Sequence, residues 1–317
     1  MSIRISAVIC TYNRAAYLQK AIQSLVDQTL PQHHYEIIVV DNASTDNTKA
    51  IVEGFDHFEN LRYIHEPIMG LSQARNTGWQ NAQGEYIAYL DDDAIACPEW
   101  LERIVDAFDT VKPQPASVGG KVTPIWEAER PAWFPKEMEN VFAIVDWGDN
   151  PKFLTEEHEH HVGCNVAYRG DILQAFGGFN TNLGRKGTNL LSNDESLLWM
   201  YLRQHGFGIY YHPSIHVEHL VPSRRLTKRF LYRRMFWQGV SNEVLEYLKV
   251  ARAKSKWRYR LGAIAKVTVT AAYMTWSFLG LIRAVNRANL FSVVCGYCYV
   301  LGETWGQLQI GFGRDKE

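Results

Sequence analysis

The sequence is short of two things that several functional classes require: paired cysteines and an excess of charge. Its five cysteines lie at positions 10, 97, 164, 295 and 298. An odd, scattered set of this kind argues against a disulfide framework and for a reducing compartment. The formal net charge is -1, so the chain lacks the overall positive charge that favours binding to nucleic acids.

The sequence also lacks an uncharged apolar stretch of the roughly 20 residues needed to span a membrane. Residues 267–282 and 290–302 carry no charge but are shorter, and they follow a basic segment at 224–260. We predict that they form membrane-interface helices or a shallow hairpin beside the basic segment. An apolar helical pair that covers the domain or forms a dimer is the alternative.

The first residues of the chain lead directly into a β-rich run. They lack the charged region and following apolar region of a secretory signal peptide. We therefore expect the protein in the cytoplasm, bound peripherally to the cytoplasmic face of the inner or plasma membrane.

Apolar runs and helical patterns alternate from residue 3 to residue 91. Hydrophobic residues make up 46% of the chain, which is enough for a sizeable core. The apolar run 35–40 is typical of a strand buried on both faces. The alternation favours a parallel, doubly wound α/β sheet with right-handed crossovers. The expected strands are 3–9, 35–40, 61–65 and 84–91, and the expected helices are 15–27, one ending near 55, and 71–81.

Residues 110–160 have a different character, because they are rich in Pro, Trp and acidic residues. We expect an irregular segment over the sheet edge, and long loops of this kind are often functional. The run 156–161 contains three histidines that could bind a metal. They do not share one helical face, which favours a solvated loop.

Three consecutive carboxylates, Asp91, Asp92 and Asp93, follow the apolar run 86–90. Like charges repel unless a cation lies among them, and oxygen ligands of this kind suit Mg2+ or Mn2+. The carboxyl edge of an α/β sheet is also where such folds bind ligands. We infer a hard metal ion that neutralises a phosphate-bearing substrate. A solvated acidic turn that caps the helix beginning near residue 98 is the alternative.

Several short segments occur in a characteristic order along the chain. They are Val8–Arg14, Val39–Asp46, Gly70–Gly78 and Asp91–Asp93, followed by Gly163–Asn165, Gly177–Phe179, Asn193–Glu195 and Gly206–Phe207. In sequence and spacing they resemble glycosyltransferase family 2, over about residues 3–240. The resemblance implies a GT-A, Rossmann-like fold with a mostly parallel sheet. It also implies an inverting transfer of a sugar from a nucleoside diphosphate donor, with UDP the expected nucleotide.

The resemblance assigns the donor nucleotide to residues near the ends of the first strands. Asp41 can accept a hydrogen bond from the imide N–H of uracil, and a turn or cap acid is its alternative role. Thr11, Tyr12 and Arg14 line the base and ribose in the family. Arg14 could also reach a phosphate or form a surface salt bridge. Arg75 lies near the diphosphate or ribose by the same analogy, with solvation on a helix surface as the alternative.

The acidic cluster matches the D-x-D pattern of the family at Asp91 and Asp93. In the family the last Asp binds the metal directly, and the first contacts the ribose or a water on the metal. Asp92 could share either role. His219 follows a strand where many relatives carry a His near the metal, although a lone His is more often structural. The implied cofactor is Mn2+ or Mg2+, which stabilises charge on the departing nucleoside diphosphate.

The acceptor hydroxyl needs a general base, and the resemblance places it at the pair Asp194–Glu195. These carboxylates stand at a helix start, where the helix dipole favours negative charge. Relatives carry Glu-Asp here with the second residue as the base, whereas this chain carries Asp-Glu. Glu195 is the expected base and Asp194 the second candidate. Helix capping by Asp194 is the structural alternative.

These assignments predict how the chain is divided. A catalytic domain occupies 1–222, and a basic and apolar helical extension at 223–317 associates with a membrane. Within the catalytic domain, 1–110 bind the nucleotide sugar and 111–222 bind the acceptor. Candidate acceptor contacts are Trp126, Trp133 and Asn165, with core packing as the more common role for any single Trp.

The predicted activity is the addition of a single sugar to a hydroxyl of a glycan or lipid-linked acceptor, in polysaccharide or cell-envelope glycan synthesis. Two alternatives belong to other classes. A nucleotidyltransferase has a Gly-rich, basic phosphate loop after strand one, which Thr11–Arg14 does not provide. A degenerate glycan-binding or scaffold protein would not need the intact acids at 41, 91, 93 and 195.

Overall fold

The structure is a computed structural model that describes residues 2–250, 262, 265 and 287–312. The chain forms two compact units. Two short segments of the second unit lie inside the predicted catalytic range 1–222. The first unit consists of 1–127, 135–181 and 194–221, and the second of 128–134, 182–193 and 222–317.

Four parallel strands form the first half of the sheet, and three helices connect them. The strands are β1 (Ile5–Thr11), β2 (Tyr35–Asp41), β3 (Leu61–His65) and β4 (Tyr86–Asp91), and the helices are α1 (Ala15–Val26), α2 (Thr48–Glu53) and α3 (Leu71–Gln80). Their order in the sheet is β3-β2-β1-β4. The predicted alternation of strands and helices is therefore confirmed.

The second half of the sheet mixes strand directions. Its elements are β5 (Ala94–Ala96), α4 (Trp100–Thr110), β6 (Ser117–Trp126), β7 (Lys152–Phe153), β8 (Val166–Arg169), α5 (Gly170–Phe176), α6 (Asp194–Gln204) and β9 (Ile209–Val221). The order continues from β4 as β8-β6-β9-β5. The long pairings, such as β6 with β9, are parallel, whereas β8, β5 and β7 pair antiparallel. The α/β class with a mostly parallel sheet is confirmed.

The sheet is buried on both faces, as the run 35–40 predicted. Every residue of β2 is buried. Ile37 and Val39 pack into the core on one face, and Ile38 and Val40 into the core on the other. Burial of each such side chain contributes roughly 1.5–3 kcal/mol. Helices supply the residues that bury them, because α1 contributes to the first of these cores and α3 to the second.

The prediction of an irregular segment at 110–160 is wrong for β6, which is a long strand inside the sheet. Its sequence contains Gly119 and Gly120, which resemble a turn signal. A Cβ at Gly120 would lie 2.0 Å from the carbonyl oxygen of Ile215. The glycines therefore permit a close approach of neighbouring backbone, and the register against β9 shifts just after Gly120.

The second unit contains two long helices, α7 (Lys228–Val250) and α8 (Arg287–Phe312). They approach closely at glycines, since a Cβ at Gly239 would lie 2.1 Å from the carbonyl oxygen of Tyr299. Among the described helices, none has the length and apolar content of a membrane span. The uncharged run 267–282 lies outside the described residues, whereas 290–302 forms part of α8.

Candidate active site

The carboxyl ends of the parallel strands bring the predicted donor residues to one sheet edge. Thr11 pairs with Asp41 in the β1–β2 register, and Cys10 pairs with Asp91 in the β1–β4 register. The side chains that follow these strands therefore share an edge. The structure brings together the segments that the sequence placed in one site.

The acidic cluster lies between β4 and β5 and includes a histidine from β9. Ala94 pairs with His219 across the β5–β9 ladder, and the Leu220 N–H donates to the Asp93 carbonyl at 2.8 Å. This register places His219 beside the acids. Potential ligand atoms of Asp91, Asp93 and His219 lie within 4.8 Å of one another. In the part of the chain that the structure describes, this is the one group of three or more such residues.

The hydrogen bonds of His219 suit a metal ligand. Its Nδ1 lies 2.8 Å from the carbonyl oxygen of Phe142, which can only accept, so Nδ1 carries the hydrogen. In the neutral ring, Nε2 then presents a lone pair, and it lies 3.2 Å from Oδ1 of Asp93. Two acceptors at this distance require a proton or a cation between them. A carbonyl on the other ring nitrogen is also the common support of a metal-binding His, so the donor set fits a divalent cation.

Arg14 and Thr11 hold the middle of the acidic cluster. Arg14 donates from Nη1 to Asp92 and from Nη2 to Asp93, both at 2.6 Å, and the Thr11 hydroxyl donates to Asp92 at 2.8 Å. Burial alone would lower the pKa of Arg14, but these two carboxylates raise it above its ordinary value. Burial raises the pKa of Asp92 to about 6; Arg14 opposes this shift, and Asp93 adds to it.

The raised pKa of Asp92 predicts a dependence of stability on pH. The folded protein binds this proton more tightly than the unfolded chain. Its contribution to stability is therefore full below about pH 4 and is lost as the pH rises through about 6. Between pH 4.5 and 7.5 without divalent metal, the melting temperature of the wild type should fall relative to Asp92→Asn. The corresponding change in the free energy of unfolding is up to about 3 kcal/mol. If the melting temperatures of the wild type and Asp92→Asn change in parallel with pH across this range, the assignment is contradicted.

Asp41 is buried at the end of β2 and already has two donors. The Tyr63 hydroxyl donates to Oδ2 at 2.7 Å, and the Ser44 N–H donates to Oδ1 at 2.9 Å. Burial and the Asp41 carboxylate raise the pKa of Tyr63. A carboxylate has about four acceptor positions, so Asp41 can still accept from a base. Tyr63, on β3, is a candidate donor-site residue that the sequence reasoning missed.

The loops after β1 and β2 are bound to each other. Asn13, in the left-handed region at φ 52, accepts from the Thr45 N–H at 2.7 Å, and its own N–H donates to Ser44 at 2.9 Å. Tyr12, between Thr11 and Asn13, is half-buried. These contacts fix the loop that carries Tyr12 and Arg14 beside Asp41.

A second group of charges is built around Arg75, which is buried and not solvated on a helix surface. Its Nη1 lies 2.5 Å from Oδ2 of Asp194 and 3.2 Å from Oε1 of Glu195, and its Nη2 lies 3.7 Å from Oδ1 of Asp91. The guanidinium also lies over the ring of Phe179, 5.5 Å from its centroid. Arg75 thus connects the acidic cluster to the predicted base.

The two carboxylates at the start of α6 differ in environment. The Asp194 side chain is 2% exposed, and that of Glu195 is 21% exposed. Burial raises the pKa of Asp194 to about 7, with Glu195 adding to the shift and Arg75 opposing it. Burial also acts to raise the pKa of Glu195, but Arg75 and a hydrogen bond with Asp194 lower it to about 2. Glu195 is therefore the ionised and more accessible carboxylate of the pair.

Gly163 is packed against both partners of this ion pair. A Cβ there would lie 2.1 Å from Nη2 of Arg75 and 2.3 Å from Oε1 of Glu195. The Gly163–Asn165 segment was part of the family resemblance, but its contact with the charged pair was not predicted.

We expect Gly163→Ala to lower the rate of sugar transfer about 10- to 100-fold, because an added methyl group displaces Arg75 or Glu195. Steady-state kinetics of the purified variant measure this loss. The matched control is Gly54→Ala on the exposed end of α2, where the nearest atom to an added Cβ is 3.3 Å away. Wild-type rates in both variants would show that the packing at Gly163 does not matter for the reaction.

Negative charge exceeds positive charge across the two groups. Five carboxylates, those at 91, 92, 93, 194 and 195, face the guanidinium groups of Arg14 and Arg75. Like charges at such distances destabilise one another. The surplus favours binding of a cation at this edge, and the Asp91–Asp93–His219 group supplies oxygen and nitrogen ligands for it.

Other sequence candidates lie elsewhere. Asn165, a predicted acceptor contact, is fully buried. It accepts from the Trp100 indole at 2.9 Å and donates to two backbone carbonyls, so it is structural and the prediction is wrong. Trp126 packs edge-on against Phe142 in the first unit. Trp133 belongs to the second unit, where its ring centroid lies 5.0 Å from that of Phe291.

The histidine-rich run 156–161 is partly buried rather than a fully solvated loop. His161 is buried, and its Nδ1 lies 3.1 Å from the Ser117 hydroxyl. Burial lowers its pKa to about 3, so the ring is neutral. His160 stacks on Trp199 with ring centroids 5.9 Å apart. These contacts anchor the run beside α6.

Comparison with known proteins identifies related sequences. The family model described as Glycosyl transferase family 2 matches residues 6–177. A glucosyl-dolichyl phosphate glucuronosyltransferase of Haloferax volcanii is 28% identical over 306 residues, which cover 95% of this chain and 96% of that protein.

Solved structures share the fold. The mannosyltransferase PcManGT from Pyrobaculum calidifontis, in complex with GDP-Man and Mn2+, has a TM-score of 0.59 and 18% identity, covering 100% of this chain and 89% of that chain. S. aureus TarS 1-349 in complex with UDP-GlcNAc has a TM-score of 0.57 and 17% identity, covering 99% of this chain and 93% of that chain. At these identities the likeness concerns the fold, which is that of GT-A glycosyltransferases.

Proposed function

The chain belongs to glycosyl transferase family 2, and we propose that it adds one sugar from a nucleoside diphosphate donor to a hydroxyl of a lipid-linked or glycan acceptor, with inversion. That it is a glycosyltransferase follows from the family and from the names of its relatives. The donor, the acceptor and the roles of individual residues are our proposals. UDP is the proposed nucleotide.

One observation carries the proposal: Arg75 lies between the acidic cluster and the carboxylates of α6. It pairs with Asp194 and Glu195 and lies 3.7 Å from Asp91. An enzyme that uses a nucleotide sugar needs a cation-binding group beside the donor diphosphate. It also needs a general base for the acceptor hydroxyl. The Asp91–Asp93–His219 group would supply the first and Glu195 the second, and Arg75 contacts carboxylates of both groups.

We propose that Asp41 accepts from the base of the nucleotide, with Tyr63 fixing its orientation. Thr11 and Tyr12 would line the ribose. Arg14, which pairs with Asp92 and Asp93, would turn toward a phosphate oxygen when the diphosphate enters. This exchange of partners keeps the guanidinium paired with negative charge in both states.

Asp91, Asp93 and His219 would hold the divalent cation, which would stabilise the charge that develops on the leaving nucleoside diphosphate. The structural neighbour PcManGT was solved with Mn2+, which supports a divalent cation as the bound group. Two arginines of the chain would assist the reaction. Arg14 binds and orients the diphosphate, and Arg75 holds the general base Glu195 in place.

We propose that Glu195 takes the proton from the acceptor hydroxyl, with Asp194 as the second candidate. The Glu195 carboxylate is ionised and the more exposed of the two. The Glu195 carboxylate accepts the proton as the hydroxyl oxygen forms a bond to the anomeric carbon, and the bond between the anomeric carbon and the diphosphate oxygen breaks. Attack from the face opposite the leaving group converts an α-linked donor into a β-glycoside.

The second unit offers a surface for a membrane, where a lipid-linked acceptor would reside. Leu290, Leu301 and Trp305 of α8 are exposed, and their spacing places them on one helical face. Arg229 and Arg233 of α7 are exposed cations. The dolichyl phosphate substrate in the name of the Haloferax relative supports this choice of acceptor. We propose peripheral binding at the cytoplasmic face.

The test is a donor panel. The purified protein, kept in detergent with Mn2+, is incubated with UDP-, GDP- and TDP-sugars and a polyprenyl-phosphate-linked monosaccharide, and the product is examined by mass spectrometry and NMR. We expect one sugar to be added, with an inverted anomeric configuration. Neither transfer nor donor hydrolysis with any donor would favour a degenerate glycan-binding protein. Retained configuration would exclude the single displacement with a carboxylate base.

A further inference from the structure

Residues 157–163 run along one face of α6. Glu195, Trp199 and Arg203 are spaced four residues apart, so their side chains lie one above another on that face. The 157–163 segment passes them in the opposite chain direction and contacts each of the three. The segment and α6 both belong to the first unit.

Arg203 binds the first residues of the segment. Its Nη2 donates to the carbonyl oxygen of Glu159 at 2.5 Å, and its Nη1 donates to that of Glu157 at 3.3 Å. The guanidinium also lies over the ring of Trp199, 4.9 Å from its centroid. Hydrogen bonds from a charged donor are roughly twice as strong as neutral ones. Arg203 therefore ties two backbone carbonyls of the segment to the last turn of α6.

Two indole rings hold the middle of the segment at His160. The His160 ring stacks on Trp199, with the centroids 5.9 Å apart and the planes 18° from parallel. The indole N–H of Trp147 donates to the carbonyl oxygen of His160 at 2.9 Å. The Trp147 ring also lies edge-on to the imidazole, 5.9 Å from its centroid. His160 is thus fixed through both its side chain and its backbone.

Other contacts fix the segment to the sheet and to the chain before it. Nδ1 of His161 lies 3.1 Å from the Ser117 hydroxyl on β6, and a Cβ at Gly119 of the same strand would lie 2.8 Å from the His161 ring. The buried Glu159 carboxylate forms an ion pair with Lys152. The segment is therefore held against the sheet as well as against α6.

The end of the segment limits the space around the proposed base. The backbone at Gly163 passes so close that an added Cβ would lie 2.3 Å from Oε1 of Glu195 and 2.1 Å from Nη2 of Arg75. A shift of the segment toward α6 would displace the carboxylate, and a shift away would give it room to rotate. The position of the segment thus decides where the carboxylate stands.

We propose that Arg203 is a positioning residue for the general base and acts through the 157–163 segment. By holding the start of the segment on α6, it keeps Gly163 against the Glu195 carboxylate, two helical turns away. The inference rests on the proposed function, because it takes Glu195 as the base. It assigns the histidine-rich run a part in the reaction through its packing.

The test compares Arg203→Met, which keeps an unbranched side chain but cannot donate to the two carbonyls, with Gln204→Ala at the exposed neighbouring position of α6. The full-length proteins are assayed with the donor and the polyprenyl-phosphate-linked acceptor that give transfer in the panel. We expect Arg203→Met to lower kcat about 10-fold, with the KM for the donor within about 2-fold of wild type. Arg203→Lys, which keeps a charged donor, should recover part of the loss, and Gln204→Ala should match the wild type.

A double variant tests whether Arg203 acts through the segment. In Gly163→Ala the added methyl group presses on Glu195 and Arg75. Once Arg203→Met has released the segment, the backbone can move away and make room for the methyl group. The double variant should therefore lose less activity than the product of the two single losses, which is the sign of coupled residues.

Hydrogen–deuterium exchange gives a readout that does not depend on catalysis. Peptides covering 157–163 should exchange faster in Arg203→Met and at the wild-type rate in Gln204→Ala. Trp147→Phe removes the bond to the His160 carbonyl from another side of the segment. It is an independent variant that should show the same loss of kcat with an unchanged KM for the donor.

Four results would overturn the inference. They are a wild-type kcat in Arg203→Met, faster exchange of the segment with unchanged kcat, a KM for the donor that rises as much as kcat falls, and a double variant whose loss equals the product of the single losses. If the wild type transfers no sugar, the proposed function fails and this inference fails with it. An active wild type with an equally active Arg203→Met overturns this inference alone.

Discussion

Glu195→Gln should bind the nucleotide as the wild type does and yet lose sugar transfer by a factor of about 100 to 10,000, the usual contribution of a positioned general base. The amide keeps the shape of the side chain and can still accept from Arg75, which lies 3.2 Å from Oε1. It cannot take a proton at neutral pH. The measurement is the transfer rate, together with the nucleotide-induced rise in melting temperature.

Asp194→Asn is the matched variant, because it neutralises the other carboxylate of the same turn. Its side chain is almost fully buried against Arg75, so we expect a smaller loss of kcat that arises from altered orientation of Glu195. The pKa of Asp194, raised to about 7, should also disappear from the pH–rate profile of this variant. Full activity in Glu195→Gln with a dead Asp194→Asn would assign the base to Asp194.

Asp93→Ala should abolish both transfer and the metal-dependent part of nucleotide binding. Asp93 accepts from Arg14, faces His219 at 3.2 Å and is one of the three proposed ligands. Stabilisation of the leaving diphosphate by a metal is worth several kcal/mol, so we expect a loss of at least about 100-fold in rate. Calorimetric titration of the nucleotide with and without Mn2+ separates the two effects.

The control for Asp93→Ala is Asp56→Ala, which removes one exposed carboxylate at a distance in sequence from the site. It should leave the metal-dependent binding unchanged. If Asp93→Ala binds the nucleotide with Mn2+ as tightly as the wild type, the metal does not bind at this cluster. The two predictions together separate the donor site from the base, since Glu195→Gln should lose only transfer.

The donor edge could be predicted from the sequence because its residues follow strands directly. Thr11, Asp41 and Asp91 each end an apolar run, and parallel strands of similar length bring their ends to one edge. The run of three aspartates was informative for a further reason, since three adjacent carboxylates without a cation are unfavourable. Local sequence and strand direction were sufficient there.

The contacts that join the site depend on long-range pairing that no local pattern displays. Arg75 was expected near the diphosphate, but its ion pair with Asp194 links residues 119 positions apart. Gly120 of β6 permits the close approach of strand β9, a long-range contact that its local sequence does not display. Asn165 was a candidate acceptor contact, and the indole and carbonyl partners that give it a structural role lie far away in sequence.

The most direct test of the account is the melting temperature of the full-length wild type, in detergent, with UDP, GDP, TDP and CDP, each with and without Mn2+. A ligand that binds the folded protein at 100 times its Kd stabilises it by about 2.7 kcal/mol. The account predicts a rise with UDP that requires Mn2+ and is lost in Asp93→Ala. An unchanged melting temperature with every nucleotide, or a rise with UDP that is independent of Mn2+, would contradict the proposed metal-assisted donor site.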